Sequence, residues 1–121
     1  MKIIKPLILL SMLTLLWSCT NDSTSDLINS EPLPEQVSYA IDIKPIMDNS
    51  CTVCHGSTPI PGTNLSLDTY DKVRNAVLNR GLIERIMLEE GNSLLMPQGG
   101  PKLPQATINI VTKWQEDGLQ P

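Results

Sequence analysis

Between Val37 and Gln120 the chain has no phenylalanine, two tyrosines, Tyr39 and Tyr70, and one tryptophan, Trp114. That poverty limits the available folds more than any other feature of the sequence. A unit of about 85 residues buries a small share of its surface, so its margin of stability is thin even with a normal supply of large apolar side chains. Units of this size often recruit disulfides, metals or a bound group to supply what packing cannot. The expectation is a small fold completed by something other than protein.

What precedes Val37 reads differently. The opening stretch MKIIKPLILLSMLTLLWSC sets Lys2 and Lys5 before an uncharged apolar run from Pro6 to Trp17, then places small Ser18 ahead of Cys19. This is the layout of an export signal over residues 1–18. The run is shorter than the roughly 20 apolar residues that span a bilayer as a helix. Residues 19–36 continue as TNDSTSDLINSEPLPEQ after Cys19, polar, acidic and proline-bearing with no sustained period. They read as a flexible tether. Such a tether spans on the order of 20–25 Å r.m.s. and about 60 Å fully stretched. The folded domain is then residues 37–121.

Loss of Lys2 and Lys5 with the leader leaves seven basic side chains against thirteen acidic ones, a formal balance of −6. An acidic surface without a basic stripe repels phosphate, so the expectation is no nucleic acid partner. It suits both solubility and docking to a cationic protein patch.

Apolar residues in the domain recur at helical spacing. The stretch IDIKPIMDNSCTVCH can begin at Asp42 as N-cap, which puts Pro45 in the first turn and Ile43, Ile46 and Met47 on one face. DTYDKVRNAVLN can begin at Asp68, carries Tyr70, Val73, Ala76 and Val77 on one face, and stops near Asn79 and Gly81. GLIERIMLEEG is a short further helix. A last one runs from Pro104 to Asp117, with Ile108, Val111 and Trp114 at intervals of three and Gly118 just past its end. Strand alternation with turn dipeptides is missing. The fold class is all-α, with three to four helices.

The first helix contains the stretch SCTVCHGS, residues 50–57, with Cys51, Cys54 and the chain's single histidine, His55. Three chemistries compete for it. A structural zinc site needs four ligands, and Cys51, Cys54 and adjacent His55 are the only soft ones in the domain. A redox dithiol of the Cys-x-x-Cys kind normally sits on a βαβ framework, which this helical pattern does not supply. Covalent haem fits the spacing. Residues three apart on a helix share a face, so Cys51 and Cys54 can add to the two vinyl groups on one porphyrin edge, and His55 reaches the iron as proximal ligand. Export to an oxidising compartment agrees with that attachment.

With CTVCH, GTNLSL, LMPQGGPKLP and a closing helix bearing Trp114, residues 39 to 118 resemble a small monohaem class I cytochrome c. The resemblance implies a fold wrapped around one covalently bound haem c. It also implies a methionine as sixth iron ligand from a loop after the middle helices, and Met96-Pro97 holds the matching position. Elimination reaches the same residue. Met1 and Met12 leave with the signal, Met47 lies on the attachment helix, and Met87 lies in LIERIML, where helical spacing suggests core filler. Met96 lies among prolines and glycines that forbid a continuing helix. Met87, an open position or another ligand remain the alternatives.

The resemblance further implies that a backbone carbonyl in a Gly-Pro-x-Leu-like turn holds the histidine ring. Gly62-Thr63-Asn64-Leu65 stands there, with Thr63 in place of proline. First and last helices are expected to cross, with Ile43, Ile46 and Trp114 in contact and Trp114 serving packing. Separately, Leu16-Trp17-Ser18-Cys19 resembles the lipobox of bacterial lipoproteins, which implies lipidation of Cys19.

Together these readings predict an exported protein, lipid-anchored to a bacterial membrane and facing the periplasm or the cell exterior. It would carry single electrons between redox protein partners, as a monomer or as a complex subunit. No side chain is needed as acid, base or nucleophile, so no catalytic residue is expected. The competing functions are a haem subunit fixed within a larger oxidoreductase, and a ligand-binding sensor whose methionine is displaced.

Overall fold

A computed structural model describes residues 32–121; the export signal, Cys19 and the tether up to residue 31 lie outside the described residues. Among the described residues there are five α-helices and no strand. They are α1 (Lys44–Ser50), α2 (Thr52–His55), α3 (Tyr70–Asn79), α4 (Leu82–Met87) and α5 (Gln105–Glu116), and a π-helical turn, Tyr39–Ile43, leads into α1. The all-α class is as expected.

The first helical stretch begins earlier than Asp42. Ser38 is the capping residue, with extended backbone at φ −119° and ψ 154°. The Asp42 carboxylate turns back to accept the Ser38 N–H at 2.8 Å. Asp42 is therefore inside the turn and ties down its start, rather than standing before it. The π geometry falls just ahead of Pro45, which lies in the first turn of α1. A proline ring crowds the carbonyl four residues back and offers it no N–H, and a wider turn at that point relieves the crowding.

A similar shift applies to α3. Its N-cap is Thr69, whose hydroxyl accepts the Lys72 N–H at 3.4 Å. Asp68 instead takes a bond from Ser66 Oγ at 2.6 Å and an ion pair with Lys72 Nζ at 2.7 Å. Both residue types suit the position, and Thr69, with its backbone extended at φ −135° and ψ 156°, takes it. The helix stops at Asn79, and Gly81 follows in the left-handed region at φ 66°. Glycine carries no Cβ penalty there.

All three aromatic rings of the domain meet in one nucleus. Tyr39 and Tyr70 pack edge to face at 5.4 Å between centroids, and Trp114 lies 5.9 Å from Tyr39 and 6.2 Å from Tyr70. Ile43, Met47, Val73, Ile108 and Val111 complete it, all fully or almost fully buried. The π turn packs on α5 here, so the first and last helical elements do meet, with Ile43 and Trp114 in the shared core and Ile46 against its edge.

The C-terminal residues clasp this nucleus. The Gln120 carbonyl accepts from Tyr39 N at 2.9 Å and from Trp114 Nε1 at 2.7 Å. The Leu119 carbonyl accepts from the Tyr70 hydroxyl at 2.9 Å. Asp117 Oδ2 accepts the Val37 N–H at 2.8 Å, and Ser38 and Gln120 form an isolated parallel bridge. Trp114 is thus a packing residue with its one polar atom satisfied. Among the described residues no buried side-chain nitrogen or oxygen lacks a partner, as a stable interior requires.

Candidate functional site

Cys51 sits at the break between α1 and α2. Its backbone, at φ −122° and ψ −44°, leaves the helical region, while its N–H still closes α1 on the Met47 carbonyl at 2.9 Å. Its own carbonyl then accepts from Cys54 N at 3.1 Å and His55 N at 2.8 Å. One short turn therefore presents Cys51, Cys54 and His55 together. Gly56 ends that turn, and any Cβ there would lie 2.8 Å from the Thr52 carbonyl oxygen, closer than side-chain carbons approach.

The chain then doubles back over the turn it has just made. Ile60 N donates to the Cys54 carbonyl at 3.1 Å, and Leu67 N donates to the His55 carbonyl at 2.6 Å. Gly62, at φ 94°, permits the tight reversal between these two ties. This brings residues 63–65 to the His55 ring. His55 Nδ1 lies 2.8 Å from the Leu65 carbonyl oxygen and 3.0 Å from Thr63 Oγ1.

A carbonyl accepts and never donates, so the Leu65 contact requires the ring proton on Nδ1. Nε2 is then the nitrogen that keeps a lone pair, the tautomer of a metal-ligating imidazole whose other nitrogen is held by an outer partner. A backbone carbonyl holding the ring is what the sequence led us to expect, and it is supplied by Leu65. The added hydroxyl of Thr63 was not anticipated.

The two cysteines are free thiols in different surroundings. Cys54 is exposed, whereas Cys51 packs against the edge of the core. Burial pushes the Cys51 thiol up to about 11. A reactive redox dithiol needs the opposite, a thiol lowered by nearby positive charge or a helix end. Among the described residues no three His, Cys, Asp or Glu side chains converge as a metal cage.

Met96 lies in the loop between α4 and α5, half-buried against the same core as Cys51 and Leu65. The loop is pinned near the methionine, where Met96 N donates to the Arg85 carbonyl at 3.2 Å. It is pinned again at its ends, where Lys102 Nζ pairs with Glu89 at 2.9 Å and Lys102 N donates to Glu90 at 3.3 Å. Of the other methionines, Met47 is 1% exposed and belongs to the core. Met87 departs from expectation. It ends α4 at 51% exposure because the buried face of that helix is taken by Leu82, Ile83 and Ile86.

Large apolar side chains remain exposed in the segments that carry the site: Ile60 in the loop after His55, Met87 at the end of α4 and Leu94 two residues before Met96. The residue set is thus one histidine with a committed Nδ1, two thiols at a three-residue spacing, one loop methionine and apolar flanks. No family model matches the chain, and no curated protein and no solved structure matches it.

Proposed function

We propose that residues 37–121 form a cytochrome c-like domain that carries one covalent haem c and passes single electrons between redox proteins, tethered to a bacterial membrane through a lipidated Cys19. The observation that carries this reading is the His55 ring, fixed by the Leu65 carbonyl through Nδ1 so that Nε2 is left as a ligand, one residue after a Cys-x-x-Cys pair. A lone histidine has many uses. One that directly follows two free thiols and has its tautomer set by a main-chain acceptor has few.

The residues fit the group. Cys51 and Cys54 would form the thioether links, with the raised thiol of Cys51 matching a buried, apolar bond position rather than an exchanging dithiol. His55 and Met96 would be the side chains that hold the iron. Bound in that way, the haem supplies a one-electron ferric/ferrous couple, with thioether sulfur favouring the ferrous side. Leu65 holds the imidazole ring, and the Arg85 carbonyl and the Glu89–Lys102 pair hold the methionine loop. With His55 and Met96 both holding the iron, no coordination position would remain for a substrate, which favours a carrier over a catalyst.

Protein matured in a host equipped for haem attachment tests this. The expected product is coloured, heavier by one haem per chain, and has Cys51 and Cys54 closed to alkylation. Its ferrous form should change little in carbon monoxide, whereas Met96→Ala should bind the gas at once with a clear spectral shift. Colourless protein with both thiols open would refute the proposal.

A further inference from the structure

We infer that the Thr63 hydroxyl is a positioning residue for the His55 ligand: it shares the Nδ1 proton with the Leu65 carbonyl and thereby sets how strongly the imidazole donates to iron. The inference rests on the haem reading and concerns this chain's own departure from the expected turn, in which proline would offer no side-chain oxygen.

The geometry has three parts. Thr63 Oγ1 lies 3.0 Å from His55 Nδ1 and the Leu65 carbonyl lies 2.8 Å from it, so one N–H faces two acceptors. The same hydroxyl is 3.4 Å from Leu65 N, whose N–H points to it. That contact orients a lone pair of the hydroxyl and couples it to the residue that supplies the other acceptor. The bond from Thr63 N to the Ile60 carbonyl at 3.2 Å, beside Gly62 at φ 94°, fixes the turn from which the side chain reaches the ring.

Each acceptor on Nδ1–H draws the proton outward and gives the ring more imidazolate character. A more electron-rich imidazole stabilises ferric iron over ferrous. Two acceptors therefore hold the reduction potential lower than the carbonyl alone would. Outer partners of this kind also fix ring orientation, so the hydroxyl limits rotation about the Cβ–Cγ bond of His55.

Thr63→Val keeps the shape and removes the oxygen; Thr63→Ser keeps the oxygen. In haem-loaded protein, Thr63→Val should favour the ferrous form three- to tenfold, which at 59 mV per decade for one electron is an upward shift of about 30–60 mV. It should also speed solvent exchange of the His55 Nδ1 proton seen by NMR. Thr63→Ser should stay close to the parent in both. An unchanged potential in Thr63→Val, or an equal shift in Thr63→Ser, would overturn the inference while leaving the haem reading intact. Colourless parent protein would overturn the haem reading, and the potential-setting role with it.

Discussion

Gly56 is the one glycine among seven whose missing side chain is demanded by a neighbour at less than 3.0 Å. Its dihedrals, φ −71° and ψ −165°, suit any residue. The obstacle is the Thr52 carbonyl, part of the turn that presents His55. Gly56→Ala should therefore cost about 1–3 kcal/mol by forcing backbone apart. The expected signature is a lower urea midpoint together with reduced haem content per chain, while an alanine at exposed Gly100, where the nearest atom stands at 3.9 Å, should leave both unchanged. That Cys51, Cys54, His55 and Met96 are candidates could be read from the chain, the first three because they stand so close together and the methionine because of its proline- and glycine-bearing loop. Which oxygens hold the histidine could not. That depends on how the 56–67 loop closes on itself, through the Ile60 and Leu67 bonds, and no local pattern encodes a closure of that length.

At the scale of elements, α3 and α5 follow their apolar spacing closely, and their ends fall within a residue of where the sequence puts them. Their length lets several turns agree on one face. The π turn and α3 do not start from Asp42 and Asp68, for a shared reason: each carboxylate finds a better use nearby, one on the Ser38 N–H and one on Lys72 and Ser66. Thr69 then caps α3. Thr69→Ala should lower stability by about 1 kcal/mol, toward the weaker end for a cap because the bond is long at 3.4 Å. Asp68→Ala, which removes an ion pair at the surface, should cost less. Paired urea titrations rank the two, and the reverse order would return the cap to Asp68. Met87 shows the limit of reading short helices. Six residues make under two turns, too few for spacing alone to say which side faces inward.

Across the whole molecule, the thin core is closed by joining its ends. Asp117 holds Lys113 at 2.9 Å and the Val37 N–H at 2.8 Å. Hydrogen bonding from Lys113, and then from the Val37 backbone, keeps its carboxyl below the ordinary 3.8. A folded-state value below the unfolded one gives stability that is present above about 3.8 and is lost as pH falls through the folded value. Asp68, lowered chiefly by its bond to Lys72, acts with the same sign in the same range. The parent should thus lose more of its urea midpoint between pH 6 and pH 3 than Asp117→Asn, which keeps an oxygen for Val37 but carries no charge. Equal losses would remove Asp117 from the acid response.

The clasp of Val37, Ser38 and Tyr39 onto Asp117 and Gln120 has a consequence for how this domain can be rewired. Because the two ends of the fold leave from one spot, a few added residues could splice 121 to 37 and let the polypeptide be cut open elsewhere, for instance in the exposed stretch around Gly99 and Gly100. A permuted chain of that kind would carry the same aromatic nucleus in a new order of synthesis.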